Sequence, residues 1–147
     1  MLAQDQAEFF YFDQESFKPI TSLFDFVYRD NQPDGEWGID FDSDHIQIVL
    51  SKKTKETIDN ARASNFKNKM ILMNSIYFSA VMQAVQKIQH PDKAYEDKKW
   101  AKVFEKNAHN KNCNLENDDA YVIAQTLLQY PLKRMNEYVF KEKDSEQ

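Results

Sequence analysis

The stretch Met70–Gln89, MILMNSIYFSAVMQAVQKIQ, constrains this chain more than any other. Thirteen of its residues are apolar (Met70, Ile71, Leu72, Met73, Ile76, Tyr77, Phe78, Ala80, Val81, Met82, Ala84, Val85 and Ile88), and it contains neither glycine nor proline. A run that long exceeds an ordinary strand and reads as a helix apolar on most sides. Asn74, Ser75, Ser79 and Gln83 interrupt it, so its wholly apolar pieces fall far short of the roughly 18 residues of a membrane span. The expectation is therefore a buried central helix in a soluble domain.

A chain of 147 residues is large enough for one sizeable core, and residues 1–147 read as a single domain. Cys113 stands alone, which excludes a disulfide within the chain and gives no sign of an oxidising compartment. The start, MLAQDQAEFF, lacks the basic opening and apolar centre of a secretion signal. A cytoplasmic protein is expected on both grounds. Gly35 and Gly38 are the only glycines, too few for a phosphate-cradling loop or a dinucleotide fingerprint. No cofactor is implied.

In chain order, the aromatic run Ala7–Phe12 predicts a short buried strand. Ile20, Leu23, Phe24, Val27 and Tyr28 follow Pro19 at helical spacing and predict a helix over 19–29, with a strand at 23–28 as the alternative. Beyond the turn residues Asn31–Gly35, Trp37, Ile39 and Phe41 alternate with polar residues or glycine. After Asp42-Ser43-Asp44, Ile46, Ile48 and Leu50 alternate with His45, Gln47 and Val49, which predicts a β-hairpin. Ser51 or Thr54 caps a short helix over Lys55–Arg62, with Ile58 and Ala61 as its core candidates, and 63–69 reads as a loop. His90-Pro91 ends the central helix. A helix from Asp92 then buries Trp100, Val103, Phe104 and Ala108, and Asn107–Asn114 forms a polar loop. Glu116, Asp118 and Asp119 mark the start of the next helix, whose core face is Ile123, Leu127 and Leu128. Pro131 breaks or kinks it, and Leu132, Met135, Tyr138 and Val139 continue a last helix. The sum is an α+β domain: a small antiparallel sheet, made of an N-terminal strand plus the hairpin, packed against a C-terminal helical bundle around the central helix.

Charge is uneven. Residues 1–44 carry eleven acids against Lys18 and Arg29 (2 − 11 = −9), and residues 45–147 carry 17 bases against 13 acids (+4). Asp34, Glu36, Asp40, Asp42 and Asp44 are candidates for an acidic face that imitates nucleic-acid phosphates. Asp40, Asp42 and Asp44 also open like a calcium loop, but the sixth place, which needs glycine, is His45, and the twelfth, which needs glutamate, is Ser51. An acid-plus-lysine nuclease layout fails because the strand Ile46–Leu50 holds no acid. His109 and Cys113 stand four apart without further ligands for zinc, and His45 and His90 have no partner by spacing. No metal site is expected.

Ser75, Ser79 and Gln83, with Asn74 beside them, form a polar line that marks either close helix packing or a place where a second chain docks. The functional expectation is a non-enzymatic domain that binds protein, its own second copy among the partners. An acidic inhibitor mimicking nucleic acid and a metal-dependent hydrolase using hairpin carboxylates are the alternatives. Direct nucleic-acid binding is not expected, because lysines alternate with glutamates without a clean basic stripe.

Overall fold

A computed structural model describes residues 19–133. A 3-10 turn, Ile20–Leu23, leads into β1 (Phe24–Tyr28), followed by β2 (Gly38–Asp40) and β3 (Ile46–Leu50). Five α-helices follow: α1 (Lys52–Ala63), α2 (Phe66–Leu72), α3 (Phe78–Gln89), α4 (Lys99–Asn110) and α5 (Ala120–Leu127). A π turn, Met73–Tyr77, joins α2 to α3 into one long rod. The fold is mixed α+β, with helices in the majority.

β3 is the centre of the three-stranded sheet, in the order β1-β3-β2. The hairpin forms as expected, with Ile39 opposite Ile48 and Asp40 opposite Gln47. The sheet is mixed and not antiparallel throughout, because β1 runs parallel to β3, Phe24 beside Ile46 and Tyr28 beside Leu50. The strand expected at Ala7–Phe12 lies outside the described residues.

Of the two readings of this segment, the alternative strand at 23–28 is the one that forms, and the helix expected over 19–29 gives way to the 3-10 turn and β1. The helical stripe would bury Val27 and Tyr28, but Val27 is half-buried and Tyr28 is 53% exposed. Phe24 and Phe26 go inward instead and Asp25 outward, a period of two that suits aromatic residues in a strand. Both phenylalanine rings meet Tyr77 edge-on, at 5.9 and 5.8 Å between centroids, and this fastens β1 to the rod.

Ser51 caps α1, its hydroxyl accepting the Thr54 N–H at 3.1 Å. Thr54 Oγ1 in turn accepts the Gly35 N–H at 3.0 Å, tying down the turn where Gly35 takes a φ of +81°. α1 buries no residue fully; Ile58 and Ala61 pack against the core half-buried. The loop expected over 63–69 shrinks to Ser64-Asn65. The Asn65 side chain accepts the Asn68 N–H at 3.0 Å, and this cap starts the rod at Phe66, ahead of the expected Met70.

The rod is buried on one side. Leu72, Ile76, Tyr77, Ala80, Val81, Ala84, Val85 and Ile88 face the core, and α5 packs against α3. α4 closes the bundle, burying Trp100, Val103, Phe104 and Ala108 as their spacing requires. It starts at Lys99, after turns over 91–98, and continues through Asn110. The expected loop at Asn107 is therefore helical: Asn107 is buried and donates its amide to the Val103 carbonyl at 3.1 Å. Asp119 caps α5 by accepting the Tyr121 N–H at 2.8 Å, and Ile123, Leu127 and Leu128 are its core face. Of the expected last helix, one turn (Pro131–Lys133) is described; Met135, Tyr138 and Val139 lie outside the described residues.

Burial raises the pKa of the Tyr77 phenol above the tyrosine range, with the nearby Arg62 guanidinium opposing. The unfolded chain gives up this proton near pH 10, about the ordinary tyrosine value, and the folded chain holds it to higher pH. Stability that depends on the neutral phenol is thus full below that pH and is lost as pH rises through the folded value. Urea midpoints between about pH 9 and 11 should fall less steeply in Tyr77→Phe than in the parent. Identical alkaline slopes would show that the phenol titrates alike in both states.

Candidate functional site

The long rod and α5 diverge at one end of the bundle and leave a groove of about 440 Å³ between them. That volume is within the range of about 300–1,000 Å³ typical of ligand pockets. Phe78, the first residue of α3, and Tyr121, in the first turn of α5, form its floor, their rings edge-to-face at 5.2 Å. Tyr130, Pro131 and Leu132 form the far wall. Asn74, Gln125 and Lys133 supply the polar groups at the rim.

Two departures from regular backbone build this groove. The first is the π turn, which widens the rod by a residue at Met73–Tyr77 and delivers Asn74 to the groove beside Phe78. The second ends α5, where Gln129 (φ 62°) and Tyr130 (φ 55°) are both left-handed, although neither is glycine. Each such residue costs about 1 kcal/mol or more. Backbone bonds offset this: the Tyr130 N–H donates to the Gln125 carbonyl at 2.8 Å, and the Gln129 N–H to Thr126 at 3.0 Å. The reversed turn places the Tyr130 ring along the groove wall and its hydroxyl 3.5 Å from that of Thr126. Pro131 is buried just beyond, leaving Leu132 72% exposed at the rim.

The polar line on the central helix stands outside the core. Asn74, Ser75 and Gln83 are exposed and Ser79 is half-buried, whereas the small residues Ala80 and Ala84 are fully buried. Of the four, Asn74 lines the groove.

The five acids of the hairpin region are spread over both of its ends. Asp34 and Glu36 lie in the loop ahead of β2, near the start of α1 through the Gly35–Thr54 bond. Asp42 and Asp44 lie in the opposite turn, where the Asp44 carbonyl accepts the Trp100 N–H at 3.0 Å. Asp40 sits between them. Its carboxylate accepts the Asp42 N–H at 2.9 Å and a bond from Arg29 at 2.9 Å, and these two donors hold its pKa below the usual range. Arg29 also donates to Gln47 Oε1 at 2.9 Å, bridging β2 and β3.

His45 lies 3.2 Å from Asp25 on the neighbouring parallel strand, a partner that chain spacing did not suggest. His90 lies 3.0 Å from Asp92, whose pKa is lowered chiefly by the Ala94 N–H and less by His90. His109 is exposed near the end of α4, and Cys113 packs half-buried against the core. Among the described residues no three His, Cys, Asp or Glu side chains gather closely enough to hold a metal ion. No helix among them is long and apolar enough to cross a membrane.

Sequence reasoning missed Tyr121, Tyr130 and Leu132. The signal for Tyr121 was present, since a helix that buries Ile123 and Leu127 turns positions 121, 122 and 125 away from the core. No family model, curated protein or solved structure matches this chain.

Proposed function

We propose that this chain is a non-enzymatic protein-interaction domain of the cytoplasm, and that the groove between the rod and α5 is where its partner docks, a second copy included. The supporting observation is where the apolar surface goes. Three of the seven large apolar side chains left exposed among the described residues (Tyr121, Tyr130 and Leu132) line the groove, together with half-buried Phe78. Concentrated apolar surface around a concave site marks an interface, whereas single exposed apolar residues carry no such meaning. A large aromatic floor with few polar groups also suits the anchors that dominate binding energy.

Sedimentation velocity over protein concentrations from about 5 to 500 μM spans the affinities expected of a modest self-interface. Concentration-dependent association that disappears in Leu132→Glu, with the far-UV spectrum unchanged, is the expected result. A monomer at every concentration, in the parent and the variant alike, would remove the second copy from the partners.

A further inference from the structure

The walls of the groove share a property that the composition of the whole chain hides. From Asn60 to Pro91 the sequence holds Arg62, Lys67, Lys69 and Lys87 and no Asp or Glu, although the protein contains 24 acids and has a net charge of −5. From Ala120 to Lys133 it again holds no acid, and Lys133 is the one charged residue. These acid-free segments contain the rod and α5, the two walls of the groove. Lys67 and Ile71, four residues apart on α2, lie on one side of the rod just ahead of the π turn that leads to Asn74 and Phe78. Lys67 and Ile71 are both exposed. Lys133 is thus the cation in the groove's lining, and Lys67 is an exposed cation on the stretch of the rod that leads into it. The nearest acids along α5, Asp118 and Asp119, lie beyond its N-terminus, with Asp119 engaged as its cap.

We infer that the partner is an acidic amphipathic helix, whose apolar face fills the groove and whose carboxylates meet Lys67 and Lys133. This rests on the groove being the docking site. Two helices framing an apolar trough accept a third helix through residues at i, i+3, i+4 and i+7. The flanking cations, on two wall segments whose sequences hold no carboxylate, favour acids on that helix and repel bases. Concavity favours a helix over an anionic membrane, which would need apolar side chains projecting from a convex face.

The test uses the full chain and two synthetic peptides of about 16 residues, long enough for four helical turns. Both present the same Leu and Phe face; one carries Glu on its remaining positions and the other Lys. Fluorescence anisotropy should show the Glu peptide binding at least about tenfold more tightly than the Lys peptide, with affinity falling as salt rises. Tyr121→Ala should weaken binding of the Glu peptide, and Lys67→Glu combined with Lys133→Glu should reverse the preference. Equal binding of the two peptides would overturn the acidic partner and leave the groove standing as a docking site. Binding of neither, or binding of the Glu peptide unchanged by Tyr121→Ala, would overturn both. Uptake by phosphatidylglycerol vesicles in preference to the Glu peptide would overturn the helical partner in favour of an anionic membrane.

Discussion

Trp100→Ala lowers the melting temperature by about 10–20 °C, an expected cost of about 3–5 kcal/mol spread over a domain of this size. Trp100 is fully buried and touches Phe41 at 5.5 Å, Tyr95 at 5.8 Å and Phe104 at 5.7 Å between ring centroids. It is also hydrogen-bonded on both sides. Its indole N–H donates to the Phe41 carbonyl at 3.0 Å, and its backbone N–H donates to the Asp44 carbonyl, also at 3.0 Å. The side chain therefore holds the turn between β2 and β3 against the start of α4. Removing it opens a large cavity and leaves the Phe41 carbonyl without its donor. Trp100→Phe separates the two effects, since it keeps much of the packing and loses the indole bond; a drop of about a third of the alanine value is expected. Thermal melts followed by circular dichroism check both. A loss of only a degree or two in Trp100→Ala would mean that the turn and α4 are held together by other contacts.

How much of this was readable in the sequence depends on the range of the forces involved. The hairpin was legible because alternation of Trp37, Ile39 and Phe41 against Ile46, Ile48 and Leu50 is local and the turn residues agree with it. The core faces of α4 and α5 were legible for the same reason. β1 was legible only as the alternative to a helix, because Ile20–Tyr28 satisfies helical spacing equally well, and what selects the strand is a partner, β3, about twenty residues on in the chain. The parallel pairing has the same origin. The groove was the least legible part. It depends on two left-handed residues, Gln129 and Tyr130, whose side chains do not announce such a turn, and on a π turn in a segment of ordinary helix formers. The acid-free composition of its walls is visible in the sequence. It acquires meaning only once the fold brings the two segments together.

Val85→Asp leaves the chain largely unfolded at 25 °C, whereas Gln83→Glu, two residues away, changes stability by no more than about 0.5 kcal/mol. Val85 is fully buried on the inner side of α3, beside Ala84 and one turn from Val81 and Ile88. A carboxylate there loses its hydration without an ionic partner, and the burial of the valine side chain is lost as well. Together these cost several kcal/mol against the 5–15 kcal/mol or so that holds an ordinary domain together. Gln83 is exposed on the same helix and keeps its water when it becomes charged. The contrast tests the orientation of the rod itself. A helix sheathed on all sides would make the two substitutions comparably damaging, and a helix lying loose on the surface would make them comparably mild. The large asymmetry expected here belongs to a rod with one side sealed by the sheet, α4 and α5 and the other in water. The same division leaves Asn74 and Phe78 accessible at the groove while the residues around them hold the core. Urea denaturation of both variants, followed by fluorescence of the two tryptophans, decides between these cases.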